Sequence, residues 1–238
     1  MSRFDSALRR LDPRQLGSRD WLMFAIGAVA ALSLLTGAVF IKRSQVVPLK
    51  PQASKITAPW IPQTVRRWEG PIDEMAKKYD IDPNVLAIIM TLESGGYSKA
   101  KSESGAEGLM QITPPTAGDI AKKYLKKPVA KYDLSDPRTS IEFGAAYLAH
   151  LRKEFGERTQ GPSWNATVEL IAAGYNGGPG AAGKLYRGEG LTDTQTVVYS
   201  RDAYNMWRER HAQTSPTFDR WQERGGSQLI DQAKSEQK

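Results

Sequence analysis

The chain has 238 residues with no cysteine, a formal charge of +7, and 40% hydrophobic against 25% charged residues. That length holds one ordinary folded domain with appendages, and the absence of thiols excludes a disulfide framework, a thiolate metal site and a cysteine nucleophile. The charge excess sits beside an apolar run, with five Arg against three Asp in 1–20 and four cations with no acid in 42–59, whereas 60–211 balances twenty cations with nineteen acids. A nucleic-acid binder carries its basic footprint on the fold, so the neutral central region argues against that class.

Residues 21–41 form an uncharged apolar run between Arg19-Asp20 and Lys42-Arg43. At about 1.5 Å per residue such a run spans a hydrocarbon core of about 30 Å. It is predicted to be a transmembrane anchor with Trp21 at one interface, preceded by a cytoplasmic tail over 1–20. A cleaved signal peptide is the rival reading, opposed by the long polar stretch ahead of the run and by the run's length. Cations on both flanks leave the orientation undecided by charge alone. Residues 42–65, with Pro48, Pro51, Pro59 and Pro62, read as an extended linker.

Beyond 65 the pattern turns helical. Pro71 suits the first residue of a helix, with Asp73 and Glu74 early and Lys77 and Lys78 late, as the helix dipole favours. Asp82-Pro83 is a cap-plus-proline start for an apolar run over 85–92 that stops at Gly95-Gly96. Pro114-Pro115 and Asp136-Pro137 open two more helices, the second with Ile141, Ala145, Leu148, Leu151 and Phe155 on one face. Residues 164–176 and 195–211 read as two further helices, and no segment alternates with period two. An all-α domain is predicted over 66–211, followed by a polar, frayed C-terminal tail over 212–238.

The second of these helices is apolar almost all round, which predicts a central position. Glu93 lies on the stripe of Leu86 and Met90, in the last turn before two glycines. At the rim of an apolar core, burial disfavours the charged carboxylate and raises its pKa, as a general acid near neutral pH requires. Position alone allows equally a solvated glutamate at a helix end.

The blocks that follow decide between these. Glu93-Ser94-Gly95-Gly96 precedes Ser102-Glu103-Ser104-Gly105-Ala106, Gly108-Leu109-Met110-Gln111 and, much later, Ala173-Gly174-Tyr175-Asn176-Gly177-Gly178. As an ordered set over 66–211 they resemble the lytic transglycosylases of the soluble-lytic-transglycosylase (SLT) type, which share the lysozyme-like fold. The resemblance implies that Glu93 is the acid/base and that Met110 and Gln111 line a sugar cleft. It also implies that Tyr175 and Asn176 contact substrate, with Ser94 supporting Glu93. A late tyrosine of that family matches Tyr199 in Gln195-Thr196-Val197-Val198-Tyr199. Two departures stand out: Gly174 intervenes between the expected Ala and Tyr, and Gln195 occupies the place of a glutamate.

Implied with the family is a single-carboxylate mechanism. Glu93 protonates the leaving oxygen between N-acetylmuramic acid and N-acetylglucosamine in peptidoglycan, the substrate's N-acetyl group assists, and a 1,6-anhydro ring closes without metal or cofactor. The expected setting is the bacterial inner (cytoplasmic) membrane, anchored through 21–41, with the catalytic domain on the periplasmic or extracytoplasmic side. A goose-type lysozyme would hydrolyse the same bond, but the aspartate of that group, two residues after Met-Gln, is Thr113 here. Glu103 and Glu107 are read as solvated loop acids rather than second carboxylates. A non-catalytic, membrane-anchored peptidoglycan-binding scaffold is the alternative from another class.

Other signals carry less. The 178–184 stretch has P-loop spacing but ends Lys184-Leu185, places Pro179 where a phosphate-binding amide is needed, and follows a helix. It is read as a turn between helices. The lysines at 122, 123, 126, 127 and 131 are read as a solvated face, and His150 as structural.

Overall fold

A computed structural model describes residues 51–156 and 163–236. In chain order the helices are α1 (Gln63–Arg66), α2 (Glu69–Tyr79), α3 (Pro83–Ser94), α4 (Pro114–Ile120), α5 (Pro137–Leu151), α6 (Trp164–Gly177), α7 (Pro179–Tyr186), α8 (Thr194–Glu209), α9 (Pro216–Trp221) and α10 (Ser227–Ser235). One wide π turn extends each of α4, α5 and α9, over Ala121–Leu125, Arg152–Gly156 and Gln222–Gly226. The described residues contain no strand, only two isolated bridges that fasten Glu107 to Lys101 and to Ile112.

Four helices start on one local device. Asp82, Thr113, Asp136 and Ser215 each accept a backbone N–H from the first turn, and each is followed at once by proline. The side chain satisfies an otherwise orphan donor, and proline costs nothing where its missing N–H has no partner. Ser163 and Asp193 cap α6 and α8 in the same way without proline. The all-α expectation holds for the described residues.

Helix α3 is the axis of the domain, and every one of its residues is buried except Glu93. α1, α2, α8 and α10 pack against it, while α6 is held among α5, α7 and α8. Burying each Leu, Ile or Met of α3 is worth about 1.5–3 kcal/mol, so the helix is held by packing all round. Gly95 ends it in the left-handed region at φ 59°, with its N–H on the Thr91 carbonyl.

Four expectations change. α2 begins at Glu69, two residues before Pro71, and Trp68 supplies no side-chain cap. The described part of the supposed linker is docked: Asp82 Oδ2 accepts from Gln52 N (2.8 Å) and Ala53 N (3.0 Å), and Asn84 Oδ1 from Thr57 N (2.8 Å) and Ala58 N (3.1 Å). Ile56, Ala58, Trp60, Ile61 and Val65 are buried behind these bonds, so the segment is a strap across the start of α3. The glycine-rich stretch after Gly178 is helical as α7, because the small residues that weaken it let it approach α6. A Cβ on Gly174 would lie 2.8 Å from Leu151 Cδ2 and 3.0 Å from the Ala182 Cβ, so close packing requires glycine where the motif departs.

The fourth concerns the supposed tail. Residues 216–235 fold as α9 and α10, burying Phe218, Trp221, Ile230 and Ala233. Their apolar residues are few but fall on one side of each helix. The Phe218 ring meets Trp60 at 5.8 Å, and Trp60 Nε1 donates to the Glu209 carbonyl at 3.0 Å, so strap and C-terminal hairpin cover the domain together. The predicted membrane span at 21–41 lies outside the described residues. Among those described, no helix is long and apolar enough to cross a membrane.

Candidate active site

Glu93 is held between the end of α3 and the loop that follows. Ser94, fully buried, donates from Oγ to the Leu109 carbonyl (2.8 Å) and accepts from Gly96 N (3.2 Å). Gly108 takes φ 77°, and a Cβ there would lie 1.8 Å from the Leu134 carbonyl oxygen, so only glycine fits. Met110 N then donates to Ser140 Oγ on α5 (3.1 Å), and the Met110 carbonyl accepts from Tyr175 Oη on α6 (2.8 Å). Gln111 adopts φ 45° and turns its Nε2 onto the Ala100 and Gly108 carbonyls (3.1 and 3.0 Å). The loop is thereby pinned to α3, α5 and α6 without any strand.

On the other side, α8 brings Tyr199 to Glu93, with Tyr199 Oη donating to Glu93 Oε1 at 2.6 Å. Thr196, one turn earlier, donates from Oγ1 to Asn176 Oδ1 (3.0 Å) and ties α8 to the end of α6. Tyr147 on α5 donates to the Gly174 carbonyl (3.2 Å), its ring 5.5 Å from that of Tyr175.

Glu93 keeps an accessible edge but is enclosed by protein on its other sides. Burial pushes its carboxyl up from 4.5 to about 7, and the Tyr199 hydrogen bond offsets part of that rise. Burial, with the Glu93 charge second, holds the Tyr175 and Tyr199 phenols well above their ordinary value. Both therefore remain neutral donors at any working pH.

These groups open on a cleft of about 430 Å³ lined by Glu93, Gln111, Thr113, Tyr175, Asn176 and Gln195, with Tyr147 at its wall. Among the described residues Glu93 is the one carboxylate lining it. Glu107 pairs with Lys101 at 3.0 Å, and Glu103 is exposed on the loop. Thr113 spends its hydroxyl on capping α4. No group of three His, Asp or Glu that could hold a metal occurs among the described residues.

The expected site residues therefore separate into two sets. Glu93, Gln111, Tyr175 and Asn176 line the cleft, and Tyr199 reaches it through Glu93. Met110 and Ser94 do not face it. Met110 is fully buried, filling the space that Gly144 leaves: a Cβ on Gly144 would lie 2.6 Å from Met110 Cε. Its part in the site is its backbone, which orients Tyr175. Tyr147 escaped the sequence reading because it falls off the apolar stripe of α5. That off-stripe aromatic was the available signal. His150 stacks on Tyr124 at 4.1 Å and pairs with Glu154 at 2.9 Å, away from the cleft.

Several known proteins are similar to this chain. Membrane-bound lytic murein transglycosylase E of Buchnera aphidicola subsp. Acyrthosiphon pisum is 38% identical over 97 residues, covering 40% of this chain and 44% of that protein. Membrane-bound lytic murein transglycosylase C of Actinobacillus pleuropneumoniae serotype 5b is 36% identical over 136 residues, covering 56% of this chain and 37% of the other. The chain thus spans less than half the length of these curated relatives. The X-ray structure of an inactive mutant of lytic transglycosylase Slt from Pseudomonas aeruginosa aligns with a TM-score of 0.48 at 24% identity, covering 62% of this chain and 25% of that one. Residues 70–198, which include Glu93 and reach to the residue before Tyr199, match the transglycosylase SLT domain, and the chain belongs to that family.

Proposed function

We propose that this chain is a peptidoglycan lytic transglycosylase of lysozyme-like fold that cuts the β-1,4 bond between N-acetylmuramic acid and N-acetylglucosamine. The observation that carries the proposal is Glu93, the one carboxylate lining a cleft of hydroxyl and amide groups, held at about 7 by burial. The names of the relatives above support the same class of reaction.

Near neutral pH Glu93 is populated in both forms, so it serves as acid and then as base. Protonated, it gives its proton to the glycosidic oxygen as the bond to C1 breaks, while the substrate's acetamido oxygen stabilises the cation. As carboxylate, it takes the proton from the C6 hydroxyl, whose oxygen bonds to C1 and closes the 1,6-anhydro ring. No water is consumed, and Glu93 ends protonated as it began. Gln111, Asn176 and Tyr175 hydrogen-bond the acetamido and hydroxyl groups without placing a second charge near the cation. Ordinary glycosidases pair two carboxylates across the bond. Here Thr113 stands where the hydrolase resemblance needs an aspartate, and that favours ring closure over hydrolysis.

The apolar run at 21–41 supports a single-pass anchor in the bacterial inner membrane, with the catalytic domain on the side of the cell wall. Purified protein incubated with peptidoglycan releases 1,6-anhydro-muropeptides, detected by mass spectrometry. Reducing ends transfer the assignment to a hydrolase, and binding to sacculi without product leaves only a scaffold.

A further inference from the structure

Five lysines stand together where the chain leaves α4. Lys122, Lys123, Lys126, Lys127 and Lys131 are all exposed, and Asp119 is the one acid among residues 119–131. Asp119 pairs with Lys123 (2.9 Å), while Glu142 is shared by Lys127 and by Lys78 of α2 (2.6 Å each). No carboxylate among the described residues pairs with Lys122, Lys126 or Lys131. The face therefore stays strongly positive after pairing.

A face that meets only water needs no hydrocarbon, yet this one carries it. Val129, between Lys127 and Lys131, is 67% exposed, more than any other large apolar residue described. The loop that presents it is tied down. Lys127 N donates to the Ala121 carbonyl (2.9 Å), Tyr132 Oη to the Pro128 carbonyl (2.5 Å), and the Tyr132 ring packs on Phe143 at 4.7 Å. Ammonium groups around an aliphatic tip match the boundary of an anionic bilayer, with phosphates for the lysines and acyl chain for the valine. A dissolved phosphodiester polymer would take the lysines and leave Val129 in water.

A bilayer is also within reach. Nine residues, 42–50, separate the apolar run ending at Ile41 from Pro51, where the docked strap begins, and ten Cα steps span at most about 35 Å. Pro51 shares a cavity wall with Lys77, and the next residue, Lys78, meets Lys127 across Glu142. The strap thus enters the domain on the flank that carries the lysines. At the other end of α4, Thr113 and Thr116 line the cleft. The nine residues from Thr113 to Lys122 set cleft and lysines about 14 Å apart along the helix.

We infer that Lys122, Lys126, Lys131 and Val129 form a face that lies on anionic phospholipid and holds the Glu93 cleft beside the bilayer rather than at the full reach of its tether. The inference rests on the anchor proposed above.

The chain has no cysteine, so Val129→Cys gives a single attachment point for a fluorophore. The full chain is reconstituted in liposomes of phosphatidylcholine alone or with about one-third phosphatidylglycerol, both containing a lipid with a nitroxide quencher near its headgroup. The label is quenched in the anionic liposomes only, and less so in about 0.5 M salt, where the screening length falls to about 4 Å. Lys122→Glu with Lys131→Glu, both at exposed positions, lowers the contact equilibrium about 25-fold or more, at about fivefold per lysine. Equal quenching in both liposomes, or in neither, overturns the inference. So does a label that responds to dissolved teichoic acid but not to anionic lipid, which transfers the face to a wall polymer. Flotation in high salt reads the anchor separately: a chain that floats with both liposomes unquenched loses only the inference, and one that floats with neither loses the anchor as well.

Discussion

Tyr199 Oη donates to Glu93 Oε1 at 2.6 Å, joining α8 to α3 across 106 residues of sequence. A neutral phenol in that position stabilises the carboxylate without neutralising it, since burial holds its own proton firmly. The pair thus sets how readily Glu93 releases its proton and fixes which way the carboxyl points.

Tyr199→Phe removes that bond and nothing else of comparable size. Because the bond lowers the Glu93 pKa, its loss raises it further. The expected outcome is an alkaline limb of the pH–rate profile displaced upward, with kcat reduced about tenfold through lost orientation, less than the loss of the acid/base itself would cost. A profile that keeps its alkaline limb in place would contradict the coupling.

Glu93→Gln keeps the shape of the side chain and removes the proton that moves. Turnover should fall about 10²–10⁴-fold with substrate binding retained, read as anhydro-product formation beside sacculus pelleting. In wild type, activity as an acid declines as pH rises through about 7.

The same residue makes stability depend on pH. Unfolded, Glu93 ionises near 4.5, and folded, near 7. Between those values the folded state binds more protons, so stability falls as pH rises and the loss is complete above the folded value. Glu93→Gln escapes it, giving a variant more stable than wild type at pH 8 by about 1–3 kcal/mol and equal to it near pH 4. Urea denaturation at the two values measures the difference, and parallel pH dependences would refute the burial argument.

Gly108→Ala places a methyl 1.8 Å from the Leu134 carbonyl oxygen at a backbone angle of φ 77°. Either the loop carrying Met110 and Gln111 shifts or the helix start behind it yields. A loss of about 3 kcal/mol or more is expected, as for other strained special backbone positions. Gly105→Ala shares the positive φ but meets nothing within 4 Å, so it should cost less. Thermal melting of the two side by side separates steric clash from backbone strain.

Asp82→Ala strips both the N-cap of α3 and the anchor of the strap, where Oδ1 accepts from Asn84 N (3.0 Å) and Oδ2 from Gln52 N and Ala53 N. A destabilisation of about 2–3 kcal/mol is expected, the sum of a lost cap and buried donors left unpaired. Hydrogen exchange at residues 52–58 should rise together with it. Protection there that survives the substitution would show that apolar packing alone holds the strap.

Local chemistry was legible in the sequence, because capping and helical periodicity act over three or four residues. Asp82-Pro83 and Asp136-Pro137 started the helices that they announced, the all-apolar run after Pro83 became the buried axis, and Glu93 stood at its rim. The ordered blocks from Glu93 to Asn176 also pointed to the family that residues 70–198 match. What lies between elements was not legible. The composition of 51–65 suggested a free linker and that of 212–238 a frayed tail, yet Asn84, Trp60 and Phe218 draw both onto the domain. Met110 carried the motif's signal but serves through its carbonyl, because Gly144 opens a space that its side chain fills. By itself the sequence determined where the helices start and which carboxylate stands at the end of α3. Only the tertiary structure decided what surrounds that carboxylate, because Tyr199 bonds it and Tyr175 shares its cleft through packing between segments far apart in the chain.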